Sequence, residues 1–155
     1  MKEVRSWKKV YEQDLDGICV ELKDLLGVPS VVILSGDLGV GKTTFVRHFG
    51  KIINGPSFAV TSPSYSLINE MGKLVHADFY RLKDSEELVH LEIPLYLEDK
   101  EFILIEWGKP YIKNLRQFIG NEFRIYELEL SLNPATDNFP VPSRNYVLND
   151  LSGEN

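Results

Sequence analysis

Gly36-Asp37-Leu38-Gly39-Val40-Gly41-Lys42-Thr43 fits the pattern G-x-x-x-x-G-K-[ST] at every position. Residues of these types at this spacing do one job well: they hold a polyphosphate. Glycines let the backbone wrap so that successive N–H groups point inward at phosphate oxygens. A helix starting at the end of the run turns its positive end towards the same anion. Lys42 then reaches the β- and γ-phosphates as a point charge, and the Thr43 hydroxyl ligates Mg²⁺. Thr44 is a neighbour in the same turn, and the pattern leaves its role open. At average amino-acid usage, roughly one random chain of this length in two hundred carries such a match.

A P-loop needs a second acid to organise Mg²⁺ or an attacking water, normally at the carboxyl end of a neighbouring buried strand. Glu106 follows the apolar run Phe102-Ile103-Leu104-Ile105 directly and has that position. The competing reading is a solvated carboxylate at a strand end. Asp78 is the other candidate acid. It shares one face of an alternating segment with His76 and Tyr80, where a plain surface carboxylate is an equal alternative. His76 can orient that face by hydrogen bonding, or simply be a half-buried, satisfied histidine. The segment Thr61-Ser62-Pro63-Ser64 lies where small P-loop proteins place a γ-phosphate-sensing switch. Its hydroxyls suit contact with Mg²⁺ or phosphate, and equally suit an ordinary turn.

These residues need elements to hold them. Val31-Val32-Ile33-Leu34 reads as a buried central strand leading into the loop. Residues 42–53 place Phe45, Val46, Phe49, Ile52 and Ile53 on one helical face, and Asn54-Gly55-Pro56 ends that helix. The order strand, glycine loop, helix is the context the motif requires. Before it, apolar residues from Val10 to Leu26 recur at helical spacing, and Gly27 and Pro29 stop that pattern. After it, residues 56–64 read as a loop. Strands over 65–69 and 74–80 make a hairpin across the turn 70–73. Residues 84–91 read as a short helix capped by Asp84 or Ser85. Residues 102–105 form a second buried strand, and 110–118 a helix. Residues 124–130 and 145–148 read as late strands, with 133–143 as a surface loop between them. Residues 152–155 read as a frayed end.

The 155 residues suit a single domain, 1–155, and the apolar share of 43% is enough for one core. The formal net charge of -6 argues against a chain that grips nucleic acid by itself, so no DNA contact is expected. Contact with RNA through a partner is left open. A single cysteine, Cys19, allows no internal disulfide and reads as core filler. Met1-Lys2-Glu3-Val4-Arg5 leads into no long apolar run, so no signal peptide is expected. No stretch reaches the roughly 20 apolar residues a membrane span needs. A soluble cytoplasmic protein without membrane contact is the expectation.

Some nucleotide-handling classes lack their marks. No N-K-x-D follows the P-loop, so the guanine-selecting element of GTPases is absent. Asp14-Leu15-Asp16-Gly17 spells D-x-x-G but precedes the loop. Arg47, Arg81, Arg116, Arg124 and Arg144 are scattered, unlike the arginine-rich lid of a nucleotide kinase. A small-molecule kinase and a non-hydrolysing, ATP-gated interaction module remain as alternatives to an ATPase.

Four blocks, in order, resemble the TsaE (YjeE) family of small bacterial ATPases in tRNA threonylcarbamoyladenosine synthesis. They are the loop Gly36 to Thr44, then Val60-Thr61-Ser62-Pro63-Ser64-Tyr65-Ser66-Leu67-Ile68-Asn69-Glu70, then His76-Ala77-Asp78-Phe79-Tyr80-Arg81-Leu82, and finally Ile105-Glu106-Trp107. The H-x-D-x-Y-R-L and I-E-W blocks carry the resemblance more than the loop does. It covers about residues 30–110 well. It implies an α/β, three-layer P-loop NTPase-like fold, with a mainly parallel central sheet extended by an antiparallel hairpin. It implies Mg²⁺ and ATP as ligands, slow hydrolysis by the isolated protein, and partners TsaB and TsaD, with tRNA met only through that complex. On this resemblance Lys42, Asp78 and Glu106 are catalytic. Asp37, Leu38, Gly39, Val40, Gly41, Lys42, Thr43, Thr44 and Thr61 hold the nucleotide, and Thr43 and Glu106 the metal. Asp78 sits at the γ-phosphate side, and Trp107 neighbours the site or an interface. The chain departs from the family's pattern where Leu91-Glu92-Ile93-Pro94 lacks a glycine, at Gly108 after the tryptophan, and in a longer 133–143 loop.

Overall fold

A strongly apolar run such as Val31 to Leu34 is stable only where both faces are covered. In the computed structural model, which describes residues 1–56 and 67–153, that run lies at the centre of a seven-stranded sheet. The strands are β1 (Lys2–Val10), β2 (Ser30–Ser35), β3 (Ile68–Met71), β4 (Leu74–Asp78), β5 (Phe102–Glu106), β6 (Arg124–Asn133) and β7 (Ser143–Asp150). The helices are α1 (Leu15–Leu25), α2 (Lys42–Asn54), α3 (Ser85–His90) and α4 (Ile112–Phe118), with short 3₁₀ turns at Glu12–Asp14, Ile93–Tyr96 and Lys109–Tyr111. The sheet order is β1-β7-β6-β2-β5-β4-β3. β6, β2, β5 and β4 run parallel. β3 closes one edge antiparallel to β4, and β7 and then β1 extend the other edge antiparallel.

Alternate residues of the central strands feed two cores. Val32, Leu34, Leu104 and Leu128 meet Ile18, Cys19 and Leu22 of α1 and Phe45, Val46 and Phe49 of α2. Val31, Ile33, Ile103 and Ile105 meet Leu88 of α3 and Leu115 of α4. Two helical layers thus sandwich the sheet. This is the α/β, P-loop NTPase-like arrangement expected from the sequence, with its parallel centre and its β3–β4 hairpin. Cys19 is fully buried, and burial pushes its thiol up to about 12, as fits core filler.

Register levels the strand ends that matter. Leu34 of β2 stands opposite Glu106 of β5, and Glu106 opposite Asp78 of β4. The carboxyl ends of three parallel strands therefore open onto one edge, where ligands of open α/β sheets bind.

Several sequence expectations change. Val10 is the last residue of β1 and not the start of a helix. The helix begins at Leu15, after the 3₁₀ turn, where the Asp14 carboxylate accepts the Tyr11 N–H at 2.9 Å. The hairpin turn is tighter than the span 70–73, because Glu70 and Met71 pair with Val75 and Leu74. β6 and β7 outrun their expected bounds and pair with each other from Tyr126↔Asp150 to Asn133↔Ser143. Ser152 is not frayed: its hydroxyl accepts the Ile125 N–H at 3.0 Å. The expected loop over 56–64, the strand residues Tyr65 and Ser66, and the tail residues Glu154 and Asn155 lie wholly or largely outside the described residues.

The glycine missing after the short helix has a structural counterpart. Asp84 caps α3 by accepting the Glu87 N–H at 3.0 Å, and the chain then turns through Glu92 at φ +53. A side chain in that left-handed region costs on the order of 1–2 kcal/mol, which exceeds the entropy a glycine would forfeit. Glu92→Gly is expected to raise Tm by about 1–3 °C in a thermal melt. A lowered Tm would show that the Glu92 side chain compensates for its strain.

Candidate functional site

β2 ends at Ser35 and α2 begins at Lys42, so residues 36–41 turn the chain through the carboxyl edge of the sheet. Gly36 approaches β6 so closely that an added Cβ would stand 2.6 Å from the Leu130 carbonyl oxygen. Only glycine fits there. On the far side, Nε of Arg144 in β7 donates to the Val40 carbonyl at 3.0 Å and pins the loop to the antiparallel edge. The first turn of α2 then points its N–H groups into the wrapped loop, the arrangement that binds anions.

Lys42 is buried, with 5% of its surface exposed. Its Nζ donates to the Gly36 carbonyl at 2.6 Å and stands 3.7 Å from the centroid of the Trp107 ring. Burial pushes its pKa down, and the carboxylates of Glu106, Asp78 and Asp37 act against that shift. A buried ammonium beside a ring, in the field of three acids, is thus held at the loop's mouth. Trp107 takes φ +60, a strained conformation for a bulky residue, and Tyr80 packs beside its ring at 5.0 Å between centroids. In that conformation the indole lies over Lys42.

Glu106, the last residue of β5, is 4% exposed. The Thr43 hydroxyl donates towards both of its carboxylate oxygens, at 3.2 and 3.4 Å. Nε2 of His76 lies 2.6 Å from Oε2. His76 is therefore the orienter of a buried carboxylate. Asp78 is the register partner of Glu106, and its Oδ1 accepts the Tyr80 N–H at 3.0 Å. The structure thus gathers Lys42, Thr43, His76, Asp78, Glu106 and Trp107 at one edge.

Asp37, Leu38, Gly39 and Val40 line a cavity of about 830 Å³ together with Lys42, Trp107 and Lys109. Gly41 and Thr44 face a smaller cleft beside Tyr11, Glu12 and Arg144. Thr61, with Ser62, Pro63 and Ser64, lies outside the described residues. Sequence reasoning gave no role to Arg144, Lys109 or the buried Glu127. Arg144 reaches the loop from a strand about a hundred residues later. Glu127 sits in the run Tyr126-Glu127-Leu128-Glu129-Leu130, where alternation alone makes both acids look solvent-facing.

The donor set suits a hard cation. Thr43 Oγ1 and the Glu106 carboxylate face each other as oxygen donors, the chemistry Mg²⁺ prefers. Among the described residues, no group of three or more His, Cys, Asp or Glu side chains could hold a metal alone. A cation here would take water and phosphate oxygens as its other ligands, the usual habit of Mg²⁺.

Comparison with known proteins identifies the family. The family model described as "Threonylcarbamoyl adenosine biosynthesis protein TsaE" matches residues 10–136. The chain belongs to the TsaE family. It is 43% identical over 79 residues to the tRNA threonylcarbamoyladenosine biosynthesis protein TsaE of Aquifex aeolicus, covering 47% of this chain and 59% of that one. To the TsaE protein of a Nostoc species it is 39% identical over 100 residues, 58% of this chain and 60% of the relative. To that of Rickettsia prowazekii it is 32% identical over 118 residues, 74% of this chain and 73% of the relative. The match thus spans about three fifths of the length of the Aquifex and Nostoc relatives. Among the described residues, no helix is long and apolar enough to cross a membrane.

Proposed function

We propose that this chain is a Mg²⁺-dependent, ATP-binding and ATP-hydrolysing subunit of the bacterial tRNA N6-threonylcarbamoyladenosine machinery. It works in the cytoplasm with TsaB and TsaD and meets tRNA through them. The observation that carries the reading is the meeting of Thr43, first turn of α2, with the buried carboxylate of Glu106 at 3.2 Å. A P-loop and its second acid within hydrogen-bond reach are what phosphoryl transfer needs. Membership of the TsaE family supports the pathway, since its relatives are named for that synthesis.

Thr43 and Glu106 would hold Mg²⁺, which would supply neutralisation of the nucleotide's phosphate charge. The chain's residues do the rest. Loop N–H groups and the start of α2 bind the phosphates. Lys42 leaves the Gly36 carbonyl and pairs with the outer phosphates. The Glu106 carboxylate faces the metal side, oriented by His76. Asp78, level with Glu106 on β4, orients the attacking water in this reading. Catalysis here is positioning and charge stabilisation.

The test is Mg²⁺-ATP turnover by the protein alone and mixed with TsaB and TsaD, with Lys42→Ala as the comparison. Turnover is expected to be weak alone, to rise with the partners, and to fall by about 10²-fold or more in the variant. ATP binding without turnover in any mixture overturns the hydrolysis claim in favour of an ATP-gated interaction module. Labelled γ-phosphate appearing on a small acceptor, with no free phosphate, overturns it in favour of a kinase.

A further inference from the structure

Glu127 is 2% exposed in the middle of β6, on the sheet face that packs under α4. A carboxylate buried that deeply is stable only when it is paired and hydrogen-bonded. Among the described residues its partners are the Ser35 hydroxyl at 2.7 Å, the Lys109 ammonium at 3.2 Å and the Asn149 amide at 3.4 Å. Asn149 is its neighbour in the β6–β7 ladder and holds the carboxylate from behind. The other two belong to the nucleotide cavity. Ser35 is the residue from which the loop departs, and both Ser35 and Lys109 line that cavity.

Lys109 and Ser35 share one oxygen of Glu127, Oε2. The Lys109 ammonium therefore stands close to the last residue of β2, from which the loop departs. Its side chain is 66% exposed while that of Glu127 is 3% exposed, so the ion pair, more than packing, fixes where the ammonium sits. The cavity's polarity says which end of a nucleotide it meets. Lys42, which serves the β- and γ-phosphates, stands over Trp107, two residues before Lys109, and lines the same cavity. The cleft by Tyr11, Thr44 and Arg144 lies apart from it.

We propose that Lys109 presents a second ammonium to the terminal phosphate of the bound nucleoside triphosphate, and that Glu127 is the positioning residue that holds it there. The inference rests on the nucleotide-site reading above and extends it to the distinction between triphosphate and diphosphate. A terminal phosphate carries the charge that a diphosphate lacks at that place, so Lys109 favours the triphosphate form.

The experiment is equilibrium titration, with Mg²⁺ present, of the parent protein and variants against a fluorescent non-hydrolysable ATP analogue and fluorescent ADP. Lys109→Ala is expected to weaken the triphosphate analogue by about fivefold to tenfold and ADP by less than about twofold. Lys109→Arg keeps most of the preference. Glu127→Gln lowers the same ratio in the parent but adds nothing to Lys109→Ala, because it acts through that lysine. Should Glu127→Gln fail to fold, Glu127→Asp, which keeps the charge but shortens the reach, takes its place in the cycle. Equal weakening of both nucleotides by Lys109→Ala, or none, overturns the role of Lys109. An additive effect of the Glu127 variant overturns the positioning role. A parent protein that binds neither nucleotide fails the nucleotide reading itself, a separate outcome seen before any variant is compared.

Discussion

Glu106→Gln is expected to slow ATP turnover by about 10²–10³-fold while leaving ATP affinity within about threefold of the parent. The change swaps one carboxylate oxygen for an amide and keeps the side chain's length. Two neighbours are already placed to hydrogen-bond it, the Thr43 hydroxyl at 3.2 Å and His76 at 2.6 Å. Glutamine retains an acceptor for one and, by choice of its amide orientation, a partner for the other. The side chain, 4% exposed, therefore stays where it is. What disappears is a full negative charge in a poorly solvated place, where charges act most strongly. In the proposed site, phosphate grip comes mainly from the loop N–H groups, α2 and Lys42, none of which is altered. The variant separates the two jobs of the site, binding and reaction.

Rapid-filtration binding beside a phosphate-release assay reads both quantities. Turnover within about threefold of the parent would mean that Asp78 is the essential acid and Glu106 only braces Thr43. Loss of binding in step with turnover would mean that Glu106 shapes the loop itself. Asp78 stands level with Glu106 in the β4–β5 register, so Asp78→Asn in the same assays ranks the two acids directly.

The parts of this site that repeat a local pattern were legible in the sequence. The loop, β2 and α2 obey short-range rules of glycine placement and apolar spacing, and their bounds in the structure differ little from those read. Glu106 was legible because a buried strand announces itself by composition and the acid follows it. His76 and Asp78 share one face because strands alternate, and the structure keeps that alternation, with Val75 and Ala77 buried. β4 ends at Asp78, short of the expected span to residue 80, so Tyr80 lies in the turn beyond it.

What escaped notice depends on contacts between distant segments. β1 carries Lys2, Glu3, Arg5, Lys8 and Lys9 and buries only Trp7 and Val10, so it has neither alternation nor an apolar run. It is a strand because β7 offers it a ladder, and its charges suit an exposed edge. Val10 matched a helical period by coincidence of spacing with Leu15 and Ile18. Glu127 reads like Glu129 in the sequence, yet one is buried and the other exposed. The difference is the cover given to Glu127 by Lys109 and Asn149, which no local pattern encodes. Arg144 reaches Val40 only because β7 folds back beside β6. Trp107 was legible as a neighbour through the family resemblance. Its positive φ and its place over Lys42 were not.

Gly36→Ala is expected to weaken ATP binding by about 30-fold or more and to lower Tm, although it adds a single methyl group. Two costs coincide. Gly36 has φ +146, where a residue with a side chain is strained. The new Cβ would also meet the Leu130 carbonyl oxygen at 2.6 Å and Val40 Cγ1 at 2.9 Å. Val40 can rotate away, but Leu130 is backbone in β6, laddered to Tyr146 of β7. The loop, being the softer partner, must lift off β6. Lifting it carries away the Gly36 carbonyl that holds Lys42 and turns the N–H groups out of register with a phosphate. Strain and overpacking together come to about 2–4 kcal/mol, and the lower figure corresponds to roughly 30-fold in affinity. Gly39 supplies the internal control. It has φ +81, but nothing stands within 4 Å of its added Cβ. Gly39→Ala therefore suffers the backbone cost alone, about 1–2 kcal/mol, with no push against the sheet. Titration of both variants with a fluorescent nucleotide compares them directly. Gly36→Ala is expected to be the weaker binder by at least about threefold, and a reversed order would show that the contact with β6 is not what shapes the phosphate cradle.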